Sequence, residues 1–265
     1  MSEIDVIILD IDGGPMLDEC LASVRGQTRR PARVVVVDNG SRDPVSRRVT
    51  GVDVIRHESN LGFAGGANSG FRETAAPYVA LVNNDVILAP EWLAAVADAL
   101  DRDPDLAAVQ TINVRLDGRI DGAGVDISDG TFRQIGNGKP VGAPLAVPWG
   151  VSATAVLYRR SAIKGALFDE RFFAYYEDVE LCARLREEGW RVAVLPLTLA
   201  THRGSSSAPV LAGGALRLRT RNRYYVARLH RGAGRIGALL WEDARLARRG
   251  RTSLRGIVQG LCSRL

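Results

Sequence analysis

Val34-Val35-Val36-Val37-Asp38-Asn39-Gly40-Ser41 is a run of four β-branched residues that ends in a carboxylate and then turns. Four consecutive valines leave neither side of a strand polar, so the run reads as a strand buried on both faces, the mark of a parallel sheet covered by helices. Three more short apolar runs occupy residues 6–9, 52–55 and 78–82. Amphipathic stretches separate them: Leu17, Cys20, Leu21 and Val24 recur at helical spacing after Pro15, as do Trp92, Leu93, Val96 and Leu100 after Pro90. Proline suits the first helical turn, where its missing N–H has no partner to lose. Strand alternating with helix predicts an α/β sandwich around a mostly parallel central sheet.

Residues 113–147 change character. They are rich in glycine and aspartate, with turn signals at Asp117-Gly118, Asp121-Gly122 and Asp129-Gly130, and predict hairpins and mobile loops. A helix is expected to resume at about residue 177, with Val179, Leu181, Cys182 and Leu185 as its apolar positions, followed by a strand over 192–195. Thirteen arginines and no lysine crowd residues 217–265 against two acids, Glu242 and Asp243. That surplus exceeds the net charge of +5 for the whole chain, so residues 1–216 are acidic overall. The reading is a main body over 1–215 and an Arg-rich extension over 216–265, made of two or three helices broken by Gly232 to Gly234 and by Gly250. Such a basic segment can meet anionic lipid, a phosphorylated acceptor or nucleic acid, and charge alone does not choose among them.

The chain is 46% hydrophobic and 25% charged, ordinary for a globular protein. Three cysteines without a CxxC spacing point to neither a disulfide framework nor a zinc cluster, and a reducing, cytoplasmic setting is expected. Acids at positions 3, 5, 10 and 12 surround the first apolar run, unlike a secretory leader. No stretch of about 18 apolar residues occurs that would span a membrane.

In open α/β sheets ligands bind beyond the carboxyl ends of the strands, so the residues there carry the functional reading. Asp38 could read a ligand's polar edge or open an Asx turn. Asn60-Leu61-Gly62-Phe63-Ala64-Gly65-Gly66-Ala67-Asn68 is a glycine-rich helix entry whose amides favour an anion, with close packing as its competing use. Its spacing is not GxGxxG, and GxxxxGK[ST] is absent, which excludes the usual dinucleotide and P-loop sites. Leu81-Val82-Asn83-Asn84-Asp85 again ends a strand in a carboxylate, which could hold a hard cation against a diphosphate or merely be a solvated turn residue. Phe168-Asp169-Glu170-Arg171-Phe172-Phe173-Ala174-Tyr175-Tyr176-Glu177-Asp178 packs acids among aromatics. Apolar surroundings raise a carboxylate toward the range of a general base, which singles out Asp178, although Glu177 and Asp178 would also favour a helix N-terminus. His202 is either a packed histidine or, with Asp85, part of a nitrogen and oxygen set acceptable to Mn²⁺ or Mg²⁺.

In this order, these segments resemble the family-2 glycosyltransferases of the GT-A fold, especially the bacterial rhamnosyltransferase-like branch. The similarity runs from about residue 5 to about residue 231 and takes in Gly122-Ala123-Gly124 and Arg221-Asn222-Arg223-Tyr224-Tyr225. The resemblance implies a nucleotide-sugar-binding half over 1–112 and an acceptor-binding half over 113–215. It puts Asp38 at the nucleobase, and Asp10, Asp12, Asn39, Asn60, Gly65, Gly66 and Asn68 in the nucleotide-sugar site. Asn83-Asn84-Asp85 stands where the family's DxD-type motif holds metal and diphosphate. Asp178, of the Glu177-Asp178 pair, stands as catalytic base, and His202 as a further metal ligand. Trp149-Gly150 begins the segment lining the sugar and acceptor site. Two departures are visible: Asp10-Ile11-Asp12 replaces the Asn-Tyr-Asn or Thr-Tyr-Asn that relatives carry after the first strand, and Asn83 replaces the first acid of DxD.

The implied reaction is an inverting transfer from a donor of the deoxythymidine-diphosphate-rhamnose or uridine-diphosphate-hexose type to an acceptor hydroxyl on a lipid-linked glycan or a small aglycone. The cofactor implied is Mn²⁺ or Mg²⁺. A sugar nucleotidyltransferase would need a basic loop after the first strand, where this chain has Asp10-Ile11-Asp12-Gly13-Gly14. A nucleic-acid binder would need interleaved aromatic platforms, of which the tail offers mainly the Tyr224-Tyr225 pair. The tail is therefore expected to pack on the body and to touch the cytoplasmic face of a membrane, with no nucleic-acid partner.

Overall fold

A computed structural model describes residues 2–204, 214–230 and 235–263. Strands β1 (Ile4–Asp10), β2 (Arg33–Asp38), β3 (Asp53–Arg56) and β4 (Tyr78–Asn83) are parallel neighbours in the order β3-β2-β1-β4. Helices α1 (Pro15–Arg25), α2 (Gly62–Glu73) and α3 (Trp92–Arg102) link or follow them. The two-residue alternation of a strand sends Val6 and Ile8 to the face covered by α1 and α3, where Leu17, Leu21, Trp92 and Leu93 are buried. Ile7, Val35 and Val37 go to the opposite face under α2 and α4 (Glu177–Glu187), against Ala64, Ala67, Phe71 and Leu181. The parallel sheet is thus covered on both sides, as the valine run requires.

The sheet continues past β4 through strands that change direction. β5 (Val86–Leu88), β6 (Leu106–Val114), β10 (Ala155–Arg159) and β11 (Arg191–His202) complete the order β3-β2-β1-β4-β10-β6-β11-β5, with β10 antiparallel to both β4 and β6. β7 (Ile120–Gly122) pairs with β6, and β8 (Val125–Asp126) forms a hairpin with β9 (Arg133–Gln134). The aspartate- and glycine-rich stretch therefore contains the expected hairpins. The strand expected over 192–195 is longer. It crosses a register shift between Leu195 and Ala200 and runs on to His202, which pairs with Val86 of β5.

Helix α2 lies close on β1 because its glycines have no side chains. A Cβ at Gly66 would come within 2.4 Å of a Leu9 methyl, and one at Gly70 within 2.6 Å of an Ile7 methyl. The tail forms α5 (Ala215–Leu229), α6 (Ile236–Ala247) and α7 (Leu254–Cys262). Gly256 and Gly260 let α7 approach the α5 backbone, since a Cβ at either would be 2.7 Å from the carbonyl of Arg217 or Arg221. His230, just past α5, bonds Glu180 and Glu187 of α4 and fastens the tail to the body. Gly250 separates α6 from α7, whereas Gly232 to Gly234 lie outside the described residues.

Candidate active site

A cavity of about 520 Å³ opens beyond the carboxyl ends of β1 and β4. Asp10, Asn39, Asn60, Asn83, Asn84, Asp85, Glu177, Asp178 and His202 all line it. They come from segments far apart in the chain, brought together because β1, β4 and β11 share one sheet and α4 packs on its face.

At one side of the cleft the β4–β5 turn carries Asp85 to β11. His202 Nε2 lies 3.3 Å from an Asp85 carboxylate oxygen, and its Nδ1 lies 2.8 Å from an oxygen of Asp121. Burial works against charging the imidazole, but the hydrogen bonds to Asp121 and Asp85 prevail and raise its pKa to about 9. Asp121 is lowered in turn: burial opposes this, and the His202 bond outweighs it. The donor set fits a divalent cation. Two cis ligands of an octahedral ion at about 2.1 Å are about 3 Å apart, near the observed separation, and a carboxylate on the second imidazole nitrogen is the usual support of a metal-binding histidine. Among the described residues no three His, Cys, Asp or Glu side chains are placed to hold a metal ion together, so further ligands would be substrate oxygens and water, as hard cations accept. The buried Oδ1 of Asn83 has no hydrogen-bond partner among the described residues, a polar atom that a ligand would satisfy.

At the other side stand Glu177 and Asp178, the first residues of α4. Burial raises both pKa values, and the neighbouring Asp178 pushes Glu177 well above the usual carboxylate range. Asp178 keeps two stabilising donors, the amides of Ala153 at 3.1 Å and Val179 at 2.8 Å, whereas Glu177 Oε2 is buried without a partner among the described residues. Hydrogen bonds to the charged form favour it, so Asp178 is the acid of the pair that ionises first.

The backbone before this pair is held in an uncommon shape. Phe173, Tyr175 and Tyr176 have φ values of 64°, 70° and 69°, a region that costs residues with side chains free energy unless neighbours hold them. The holder is Asn222 of α5. Its buried amide nitrogen donates to the carbonyls of Phe172, Ala174 and Tyr175 at 2.7–2.9 Å.

Several expected site residues are not on the cavity wall, for identifiable reasons. The fully buried Asp38 carboxylate accepts from the amides of Ser41 and Val45 and from Arg56. These contacts outweigh burial and lower its pKa. Its turn-building use is the one observed. Asp12 binds the backbone and guanidinium of Arg42 and receives no place in the cleft. Gly65 and Gly66 are buried packing positions of α2. At the helix entry Gly62 N donates to Asn60, Leu61 N to Asn39 and Ala64 N to Phe173 O, so these three amides are already engaged. Asn68 binds the backbone of Phe168 through both amide atoms. Trp149 lies against Arg186, and Gly150 packs on Cys182, so Ser152, Ala153 and Thr154 line the cavity in their place.

Sequence reasoning did not assign Asp121, which it took for a turn residue, nor the parts of Asn222 and Arg219, although the segment from Arg221 to Tyr225 stood out. Asp121 is 81 positions from His202, and no spacing rule links them. Asp10 departs from the pattern of relatives yet lines the cavity. Burial raises its pKa, and Asn84 donates to it at 2.5 Å.

Comparison with known proteins agrees with this architecture. The family model described as Glycosyl transferase family 2 matches residues 6–165. The N-acetylglucosaminyl-diphospho-decaprenol L-rhamnosyltransferase of Mycobacterium tuberculosis is 28% identical over 234 residues, covering 76% of this chain and 76% of that protein. Among solved structures, the mannosyltransferase PcManGT from Pyrobaculum calidifontis, in complex with GDP-Man and Mn²⁺, aligns with a TM-score of 0.62 at 16% identity over 100% of this chain and 88% of that one. S. aureus TarS 1-349 in complex with UDP-GlcNAc aligns with a TM-score of 0.59 at 18% identity, and the match covers 86% of this chain but 65% of that one.

Proposed function

Because the chain belongs to glycosyl transferase family 2, has a GT-A type α/β fold and is a glycosyltransferase, we propose that its cleft takes a nucleotide-diphosphate sugar and transfers the sugar, with inversion, to an acceptor hydroxyl. The observation that carries this reading is one cavity holding a carboxylate–imidazole pair, Asp85 and His202, and a buried acid pair, Glu177 and Asp178. A deoxythymidine-diphosphate rhamnose or uridine-diphosphate hexose is the donor class, and the acceptor class is a lipid-linked glycan, by likeness to the rhamnosyltransferase.

Asp85 and His202 would hold Mn²⁺ or Mg²⁺, with Asp121 orienting the imidazole. When bound, such a cation offsets negative charge on the departing diphosphate. The chain's own residues do the rest. Asp178 accepts the proton of the acceptor hydroxyl as the new oxygen–carbon bond forms and the anomeric carbon–phosphate oxygen bond breaks. The amides of Ala153 and Val179 hold that carboxylate in place. Glu177 beside it is held toward its neutral form by burial and by the Asp178 charge. Asn39, Asn60, Asn83 and Asn84 offer polar walls to the donor.

Thermal-shift titration with nucleotide sugars and Mn²⁺ tests the reading. A metal-dependent rise in melting temperature with one nucleotide class supports it, and no response to any nucleotide sugar or nucleoside diphosphate would remove it. Asp121→Asn is expected to lower Mn²⁺ affinity about 10- to 100-fold, as loss of support behind a metal-binding histidine does. Unaltered Mn²⁺ affinity would reduce Asp121 to a loop contact.

The division at residues 215 and 216 is likewise proposed, with α5 reaching back to the cleft. On α6 and α7, Leu240, Trp241, Leu254 and Val258 are exposed beside Arg245, Arg248 and Arg255, a composition that fits peripheral contact with anionic lipid. No helix among the described residues is long and apolar enough to cross a membrane.

A further inference from the structure

The structure separates the tail's arginines by what they touch. Arg223 pairs with Glu242 and Asp243, Arg228 donates to the carbonyls of Gly260 and Ser263, Arg217 to Gln259, and Arg221 to the carbonyls of Arg171 and Phe172. These contacts fasten α5 to its neighbours. Arg219 differs. Its guanidinium lies 4.3 Å from the centroid of the Tyr175 ring, it is on the cavity wall, and no ion pair among the described residues engages it.

The platform beneath it is rigid. Asn222 holds the Tyr175 carbonyl, and the Tyr176 ring meets Phe132 edge-on at 5.5 Å. Tyr175 is three positions before Asp178, and Tyr175, Arg219 and the acid pair line one cavity, which assigns Arg219 to the acceptor side of the proposed reaction. The other cavity arginine, Arg133, is already paired with Asp129 at 2.6 Å. The remaining ionisable walls are the acids Asp10, Asp85, Asp121, Glu177 and Asp178 and the imidazole of His202, which Asp85 and Asp121 already engage. Among the described residues, an anionic acceptor entering here would meet one cation not already balanced. Contact with a ring face leaves the guanidinium N–H donors for an oxyanion, and their planar fork matches phosphate oxygens.

We propose that Arg219, seated on Tyr175 beside Tyr176 and Phe132, is a subsite for a phosphate or diphosphate group carried by the acceptor. This rests on the donor and acceptor reading given above, and it narrows the acceptor to a phosphorylated carrier. A neutral aglycone would leave the guanidinium without a counterpart.

Calorimetric titration tests it in an order that keeps the two readings apart. The protein is first saturated with UDP or dTDP and Mn²⁺, which fills the donor site, and then titrated with geranyl diphosphate, inorganic pyrophosphate or geraniol. Wild type is expected to bind geranyl diphosphate, pyrophosphate more weakly, and geraniol not measurably. Arg219→Gln should weaken geranyl diphosphate by about tenfold or more, the size of a lost charge-assisted contact, with nucleotide affinity and melting temperature unchanged. Arg219→Lys should fall between. Equal geranyl diphosphate affinity in wild type and Arg219→Gln would overturn the subsite, and so would a loss of nucleotide affinity, which would assign Arg219 to the donor. Pyrophosphate binding as tightly as geranyl diphosphate would overturn the carrier assignment. Failure of both nucleotides at the first step would sink the donor reading, and the subsite with it.

Discussion

Asp178→Asn is expected to cut turnover by roughly 10²- to 10⁴-fold, the usual contribution of a positioned general base, while nucleotide-sugar affinity stays close to wild type. The amide retains an oxygen that can accept from Val179 or Ala153, so the start of α4 should keep its place. It cannot take a proton from an acceptor hydroxyl. The pH dependence carries a sign. Burial raises the Asp178 pKa, so wild-type turnover should fall as pH drops through a value above the ordinary aspartate pKa of about 4, because the base must be ionised to act. The residual activity of Asp178→Asn should lack this acid limb. Steady-state rates over pH, with donor affinity measured separately, check both points. Wild-type turnover in the variant would remove Asp178 as base.

Asp85→Ala should abolish stimulation by Mn²⁺ or Mg²⁺. The variant takes away one of two donors that stand 3.3 Å apart and leaves His202 paired with Asp121. A single imidazole bridged to a carboxylate is a poor hold for a hard cation. Rates measured against metal concentration after chelator treatment give the answer. Full activity of the parent protein without any divalent cation would count against the site, and a variant still stimulated at wild-type metal concentrations would count against Asp85.

Most of the architecture was legible because it follows from local chemistry. The valine run before Asp38 and the periodic apolar residues after Pro15 and Pro90 have few ways to hide from water, and they became β2, α1 and α3. The course of β11 was legible only to Leu195. Pro196 and the register shift before Ala200 interrupt its pattern, and its last residues are strand only because β5 and β6 pair with them. The same holds for the cleft. Asp85, Asp178 and His202 could be named from strand ends and an aromatic-flanked acid pair. Asp121 could not, since its partnership with His202 arises from the pairing of β7 with β6. At the glycine-rich entry of residues 60–68, amides that look available in sequence are taken by Asn39, Asn60 and Phe173 in the fold. Asp38 likewise served its own turn. A residue at a strand end is well placed for a ligand, but only the surrounding donors decide whether its carboxylate remains for one.

The most direct measurement is anomalous diffraction from crystals grown with Mn²⁺ and the nucleoside diphosphate selected by thermal shift. A single manganese peak bonded to Asp85 and His202, with diphosphate oxygens completing its shell and Asp178 facing the same cavity, is the predicted result. Manganese bound elsewhere, or a nucleotide lodged away from these side chains, would contradict the account.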